Sequence, residues 1–274
     1  MGNIIVLFLT GCLIGSIGTL IGAGGGFILV PLLLITHPGM QPDIVTSISM
    51  ALVATNAISG STAYARSGRI DYKAGLLFAA CTVPGSILGV VATQYIPKEA
   101  FHLVFGILLV LLAIFLFFRK PKRGEEKQAL LKDERLYLQQ RTDRQGNHYS
   151  YSYSRKKGII ISIFVGFFSP LLGIGGGIIH VPAMVQLLHF PVYIATATSH
   201  FILAIMTSIS VVVHAIAGDY NNVKVLKVTL ALCAGAIPGA QIGAVLSHKL
   251  KGNTIVRALA VCLGIVGIRI LLTV

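Results

Sequence analysis

Charge is what this sequence has least of. Only 11% of its 274 residues are Asp, Glu, Lys or Arg, less than half of the quarter or so usual in soluble domains. Hydrophobic residues make up 55%, and apolar runs long enough to cross a bilayer recur along the chain. A soluble domain is excluded, and the chain reads as an all-α polytopic membrane protein. The few charges are also confined. Of 22 Lys and Arg, 12 fall between Arg119 and Lys157, together with 5 of the 9 acids. The formal net charge of +13 is therefore no nucleic-acid surface. Basic residues beside apolar spans are the mark of cytoplasmic loops, so the lipid bilayer is the expected partner and nucleic acid is not.

Carboxylates are missing from the span centres. Asp43, Asp71, Glu99 and Asp219 all lie near span ends, whereas a sodium or metal pathway usually carries acids at depth. The four cysteines, Cys12, Cys81, Cys233 and Cys262, sit in apolar sequence without metal-ligand spacing, and read as small buried hydrophobes. The tetrapeptide LTGC, Leu9–Cys12, has the form of a lipoprotein cleavage box. No basic segment precedes it, so lipidation is not expected. Neither HExxH nor GxSxG with a placed base occurs. No catalytic residue, metal or cofactor is expected, and the chain is read as a non-enzyme.

Glycine, in contrast, is abundant, with 30 residues, and its placement repeats. The stretch IGAGGGFILVP, Ile21–Pro31, returns as LGIGGGIIHVP, Leu172–Pro182. After each copy comes a hydroxyl cluster, VTSIS (Val45–Ser49) and ATATS (Ala195–Ser199), aligning Thr46 with Thr196 and Ser49 with Ser199. Gly68 aligns with Gly218, and VPGSILG (Val83–Gly89) with IPGAQIG (Ile237–Gly243). Four correspondences in one order mark an internal duplication. The chain divides into a first repeat, 1–118, a charged linker, 119–157, and a second repeat, 158–274. Each repeat parses into four apolar segments: Ile4–Thr36 and Gly158–Leu188, Ile44–Ala65 and Ile194–Ala217, Lys73–Ile96 and Val223–Leu246, Ala100–Phe118 and Thr254–Leu272. That makes about eight membrane segments. The linker is expected to be a solvated, partly helical loop on the cytoplasmic side.

Ile4–Thr36 would be about 50 Å long as one helix, against a hydrocarbon core of about 30 Å. A break at Gly24–Gly26, and likewise at Gly175–Gly177, is therefore expected near mid-membrane. Unwound backbone at that depth belongs where it lines a cavity or is buried in protein. Paired glycine interruptions at matching positions point to a transporter binding site. The half-helix after each break would present unpaired N–H groups and a positive dipole end, suited to an anion, and glycine lets that anion approach the backbone. Close helix packing through small residues is the competing use of such glycines. Thr46, Ser49, Thr196 and Ser199 are candidate further donors. His180, just after the second break, could meet the anion or, like His214, carry a coupled proton. Pro31 and Pro182, with Pro84 and Pro238 further on, are read as helix breaks.

Two topologies fit. If each glycine segment crosses once, the repeats are parallel and loop Lys and Arg outside the linker divide five inside to four outside. If it turns back as a hairpin, the repeats are inverted and the division is six to three. Positive-inside bias favours the inverted arrangement.

The pair GAGGGFILVP and GIGGGIIHVP, with PGSILG and PGAQIG, resembles the TauE/SafE sulfite-exporter family of membrane permeases over nearly the whole chain, linker excepted. The resemblance implies secondary transport of a small sulfur-containing oxyanion, such as sulfite, thiosulfate or a sulfonate, across the cytoplasmic membrane. The substrate would be bound between the two glycine segments, Gly24, Gly25 and Gly26 facing Gly175, Gly176 and Gly177. A passive anion channel and a membrane sensor or partner subunit are the alternatives.

Overall fold

The computed structural model describes residues 3–118, 137–247 and 252–272. The remainder of the expected linker, 119–136, and Lys249 and Lys251 of the charge comparison lie outside the described residues, as does the side chain of Cys262. The elements run α1 (Ile4–Ile21), α2 (Gly26–Thr36), α3 (Pro42–Arg66), α4 (Tyr72–Thr93) and α5 (Lys98–Phe118). Strands β1 (Tyr137–Thr142) and β2 (His148–Tyr153) follow. Then come α6 (Arg155–Leu172), α7 (Gly177–Gln186), α8 (Val192–Ala217), α9 (Val223–Leu246) and α10 (Gly252–Leu271).

Local chemistry sets the helix ends. The side chains of Asn3, Asp71, Ser154 and Asn222 accept from first-turn N–H groups of α1, α4, α6 and α9. Pro42 opens α3 with no N–H to waste. Gly22 and Gly173 close α1 and α6 in the left-handed conformation, at φ of 84° and 70°. Among the described residues α1, α3, α4, α5, α8 and α9 are long and apolar enough to cross a membrane. α6 opens with Arg155, Lys156 and Lys157. The outer surface is apolar too: Leu111, Ile216 and Val245 are 60%, 82% and 62% exposed. Contiguous exposed surface of this kind is tolerated where lipid covers it, and the chain is a multi-pass membrane protein.

After each glycine stretch the chain reverses. A Cβ on Gly25 would meet the Ile14 side chain at 2.7 Å, and one on Gly18 would meet the backbone of Gly24 and Gly25. In the second half a Cβ on Gly176 would lie 2.9 Å from both Ser169 Oγ and Val165 Cγ1, and His180 Nε2 lies 3.3 Å from Ser162 Oγ. Contacts that pair later residues with progressively earlier ones are those of antiparallel neighbours. α1–α2 and α6–α7 are therefore two helical hairpins, split at Gly22–Gly25 and Gly173–Gly176.

The four prolines require a correction. Pro31, Pro182, Pro84 and Pro238 lie inside α2, α7, α4 and α9, and each helix continues through its proline. Membrane helices accommodate proline when neighbouring elements hold the chain, and the actual breaks are made by glycine alone.

Packing is exchanged between the halves. α1 packs most extensively on α9 and α4 on α6, while α3 lies along α8 and α5 along α10. Glycine makes the exchange possible. A Cβ at Gly11 or Gly15 would strike the backbone of Leu232 or Ala236, and Cβ atoms at Gly235, Gly239 and Gly243 would strike that of Phe8, Cys12 and Ser16. Gly85 and Gly89 of α4 approach the backbone of α6 in the same way, and Gly166 approaches Thr82. These are small residues at four-residue spacing, the pattern that brings membrane helices into close contact.

The described part of the linker, expected to be a partly helical loop, is instead a β-hairpin, with Tyr137 opposite Tyr153 and Thr142 opposite His148. The Tyr-Ser alternation of 149–154 is the cause. Period-2 alternation suits a strand with one buried face, and Tyr151 and Tyr153 are buried against Phe190, with ring centroids 4.7 and 4.8 Å away. α6 then begins at Arg155, two residues before the expected end of the linker.

Candidate functional site

The two breaks meet at the centre of the molecule, and each glycine there has its own reason. Gly24, Gly25, Gly175 and Gly176 have φ of 80°, 94°, 80° and 69°, a region costly for any residue with a Cβ. Gly26 and Gly177 already have helical backbone and are glycine for space. A Cβ on Gly26 would collide with the Gly173 carbonyl oxygen, and one on Gly177 with the Gly22 carbonyl oxygen. The start of each short helix thus sits against the end of the other half's first helix. Both close approaches are related by the duplication.

Ser49 and Ser199 hold this junction. Ser49 Oγ donates to Gly173 O at 2.5 Å, and Ser199 Oγ donates to Gly22 O at 3.3 Å. The aligned hydroxyls therefore satisfy the terminal carbonyls of the opposite half's helix, which have no intrahelical partner. Val53 of α3 separates the breaks: a Cβ on Gly24 or Gly175 would lie 2.6 or 2.7 Å from its Cγ1. Leu203 of α8 faces Gly24 from the other side, at 3.0 Å from such a Cβ. Both side chains are buried.

Donors remain free at both breaks. Gly25 and Gly176 cap α2 and α7 without any side-chain bond. Among the described residues the N–H groups of Gly25, Gly26 and Phe27, and of Gly175, Gly176 and Ile178, have no acceptor. Ser169 Oγ, fully buried beside Gly176, has none either. Unpaired donors at a helix N-terminus favour an anion. Buried donors left without a partner are costly and call for one.

The remaining expected residues divide. Thr46 is buried against Gly173, but its hydroxyl donates to Asp43 O at 3.0 Å within its own helix. Thr196 packs on Gly22, where a Cβ would come 2.8 Å from its Cγ2. His180 turns away from the opposing break, its ring lying between Ser162 and Phe78. His214 Nδ1 lies 2.5 Å from Asp219 Oδ2 at the far end of α8.

A buried polar chain belongs to the first break alone. Asn56 Nδ2 donates to Gly24 O at 3.2 Å, and its Oδ1 accepts from Thr19 Oγ1 at 3.1 Å. His200 Nε2 lies 3.2 Å from Thr19 Oγ1, and Tyr64 OH donates to Thr19 O at 2.9 Å. Where the first half has Asn56, the duplication places Met206. Sequence reasoning gave no role to Thr19, Ser169 or Val53, and counted Asn56 only among the polar donors that the apolar spans offer an anion. Asn56 carried the one available signal, a carboxamide within an apolar span. Among the described residues no group of three His, Cys, Asp or Glu is placed to hold a metal.

The profile of the family described as "Sulfite exporter TauE/SafE" matches residues 7–270. The probable membrane transporter protein YunE of Bacillus subtilis is 32% identical, over 98% of this chain and 97% of its own length. The probable membrane transporter protein MJ0441 of Methanocaldococcus jannaschii is 24% identical over 97% and 95%. YfcA of Escherichia coli, also a probable membrane transporter protein, is 26% identical over 93% and 84%. No solved structure matches. Two glycine-split hairpins joined at their tips by matched serines, in a chain covered end to end by one profile, belong to a membrane transporter of the TauE/SafE sulfite exporter family.

Proposed function

We propose that this transporter is a secondary permease for a small sulfur-containing oxyanion, held between the N-termini of α2 and α7. What carries the reading is the face-to-face pair of short helices at whose starts the N–H groups of Gly25, Gly26 and Phe27, and of Gly175, Gly176 and Ile178, lack acceptors. Each donor bonded to an anion is worth about 1.5–3 kcal/mol, and several converging ones suit an ion with three or more oxygens. Ser169 Oγ adds a donor at the second break. The family's description as a sulfite exporter directs the choice among oxyanions.

On this reading the halves are inverted. The α1–α2 hairpin re-enters from one side and α6–α7 from the other, so that each presents its tip to the midplane. The side bearing the β-hairpin and the basic linker is the cytoplasmic one. Transport then needs the packing around Val53 to open toward each side in turn.

The test is flux of labelled sulfite and thiosulfate into proteoliposomes, with sulfate and acetate as competitors, for the wild type, Ser169→Ala and Gly25→Leu with Gly176→Leu. Saturable, sulfur-selective flux that weakens in Ser169→Ala and is lost in the double variant supports the site, provided both elute as folded protein. Flux unchanged by all three substitutions removes it. Saturable flux that never runs against a gradient replaces the permease with a passive channel.

A further inference from the structure

Arg69, in the turn between α3 and α4, is only 4% exposed, the one arginine or lysine so buried among the described residues. Its Nε and Nη2 donate to Asp143 Oδ2 at 3.2 and 3.1 Å, and Nη2 also reaches Gln145 Oε1 at 3.3 Å. Both acceptors lie in the tip of the β-hairpin. Nη1 is buried without a partner. The guanidinium carbon sits 5.1 Å from the centre of the Tyr193 ring. Beneath it lies a cavity of about 20 Å³ bordered by Tyr64, Arg69, Tyr193, Thr196 and Ser247. Thr196 in turn packs on Gly22 at the first break. A cation, a small space walled mainly by apolar atoms and the glycine break thus follow one another inward from the linker side.

The hairpin is fixed there by two separate attachments. Along its strands Tyr151 OH donates to Asp71 at 2.7 Å and Arg141 Nη2 lies 3.5 Å from the same carboxylate, and toward the base Tyr151 and Tyr153 pack on Phe190. At its tip the fastening is Asp143 on Arg69, with Arg144 N donating to Ser67 O at 3.1 Å. Releasing the tip leaves the base in place.

We propose that Arg69 is an oxyanion-binding site at the linker-side mouth of the pathway, and that Asp143 is its resident anion, which the transported oxyanion displaces. This rests on the proposed function for the identity of the anion. A guanidinium fork accepts a carboxylate, a sulfite or a thiosulfate through the same planar donors. The cavity has room for about one water, so an oxyanion fits only by taking the place of the carboxylate. Asp143 Oδ1 is held by the N–H groups of Gln145 and Asn147 at 3.0 and 2.9 Å, so the carboxylate leaves together with the tip, and Nη1 gains the partner it lacks.

The experiment uses the full chain and the variants Arg69→Gln, Arg69→Lys and Asp143→Asn. The concentration dependence of thiosulfate and sulfite flux is measured in proteoliposomes, and hydrogen exchange of residues 142–147 in detergent with and without thiosulfate. The expected result is opposite signs. Arg69→Gln raises KM about 10-fold or more, Arg69→Lys recovers part of it, Asp143→Asn lowers KM, and thiosulfate speeds exchange of 142–147 in the wild type but not in Arg69→Gln. A purely structural clamp would move KM the same way in Arg69→Gln and Asp143→Asn; that result, or unchanged KM, overturns the proposal while leaving glycine-dependent flux intact. If no sulfur oxyanion is carried, exchange is repeated with inorganic phosphate and bicarbonate. Acceleration by either keeps the Arg69 site and removes the sulfur substrate; acceleration by none overturns the site.

Discussion

Ser49 and Gly173, 124 residues apart in sequence, are joined by a hydrogen bond of 2.5 Å, and its counterpart joins Ser199 to Gly22 at 3.3 Å. Each hydroxyl closes the end of a helix in the other half. The two bonds are equivalent by descent but unequal in length, so the junction is tighter on the side of the second break.

Ser49→Ala should therefore destabilise more than Ser199→Ala. Removing a donor from a buried carbonyl costs about 1–3 kcal/mol, and the shorter bond should lie toward the upper part of that range. Thermal unfolding of the two variants in the same detergent checks the order; equal losses would mean that the difference in length carries no energetic weight.

Gly26→Ala and Gly177→Ala each place a methyl into a carbonyl of the opposing break. Both should lose folded yield or flux, although alanine favours the helical backbone found at these positions. Gly39→Ala, with nothing within 4 Å of the added Cβ, should stay within about 0.5 kcal/mol of wild type. Flux and elution profile, measured side by side, separate the two classes. A normal Gly26→Ala would show that the two breaks can separate to admit the methyl.

Val53→Ala removes the side chain lying between Gly24 and Gly175. We expect faster anion flux with weaker discrimination between sulfite and sulfate. Flux that falls in a folded protein would instead make Val53 part of the packing that transport depends on.

The hairpin tip should respond to acid and not to base. Burial pushes the Asp143 carboxyl up, but hydrogen bonds from Asn147, Arg69 and Gln145 outweigh it and hold the group at about 2. A carboxylate depressed in this way stabilises docking fully above its unfolded value of about 3.9, and loses that contribution as pH falls through its folded value. Burial, followed by the neighbouring Asp71 carboxylate, pushes the Tyr151 hydroxyl up, so it remains a donor to Asp71 through alkaline pH. The chain has nine Tyr and no Trp, and tyrosine fluorescence is the readout. The signal should stay flat from pH 8 to about 4 and change below, with the acid change absent in Asp143→Asn.

Much of the central arrangement was legible because it is written twice. Gly24–Gly26 and Gly175–Gly177 stand out against apolar sequence where glycine has no helical reason to be; Ser49 and Ser199 were selected because they align, but as substrate donors, whereas each donates to a helix-end carbonyl of the opposite half. On the orientation of the repeats the sequence offered only a small imbalance of loop charge. What sequence did not disclose was partnership. Nothing local tells Gly239 that it lies on Cys12, or Arg69 that it meets Asp143, since those contacts are made across the duplication and the linker. The prolines misled because a missing N–H predicts strain, whereas bundle neighbours decide whether the helix yields. The β-hairpin was hidden by composition: its Tyr-Ser alternation looks like low complexity until Phe190 supplies a surface for Tyr151 and Tyr153.

The crossed pairing of α1 with α9 sets an order of events during synthesis. The glycine face of α1 leaves the ribosome first, while the backbone it lies against begins only at Val223. Until then Gly11 meets lipid or a temporary neighbour, and Gly15 has only the Asn56 side chain of the first half beside it. Supplied as separate polypeptides, the two halves should each be degraded when made alone and accumulate when made together, each acting as the folding template of the other.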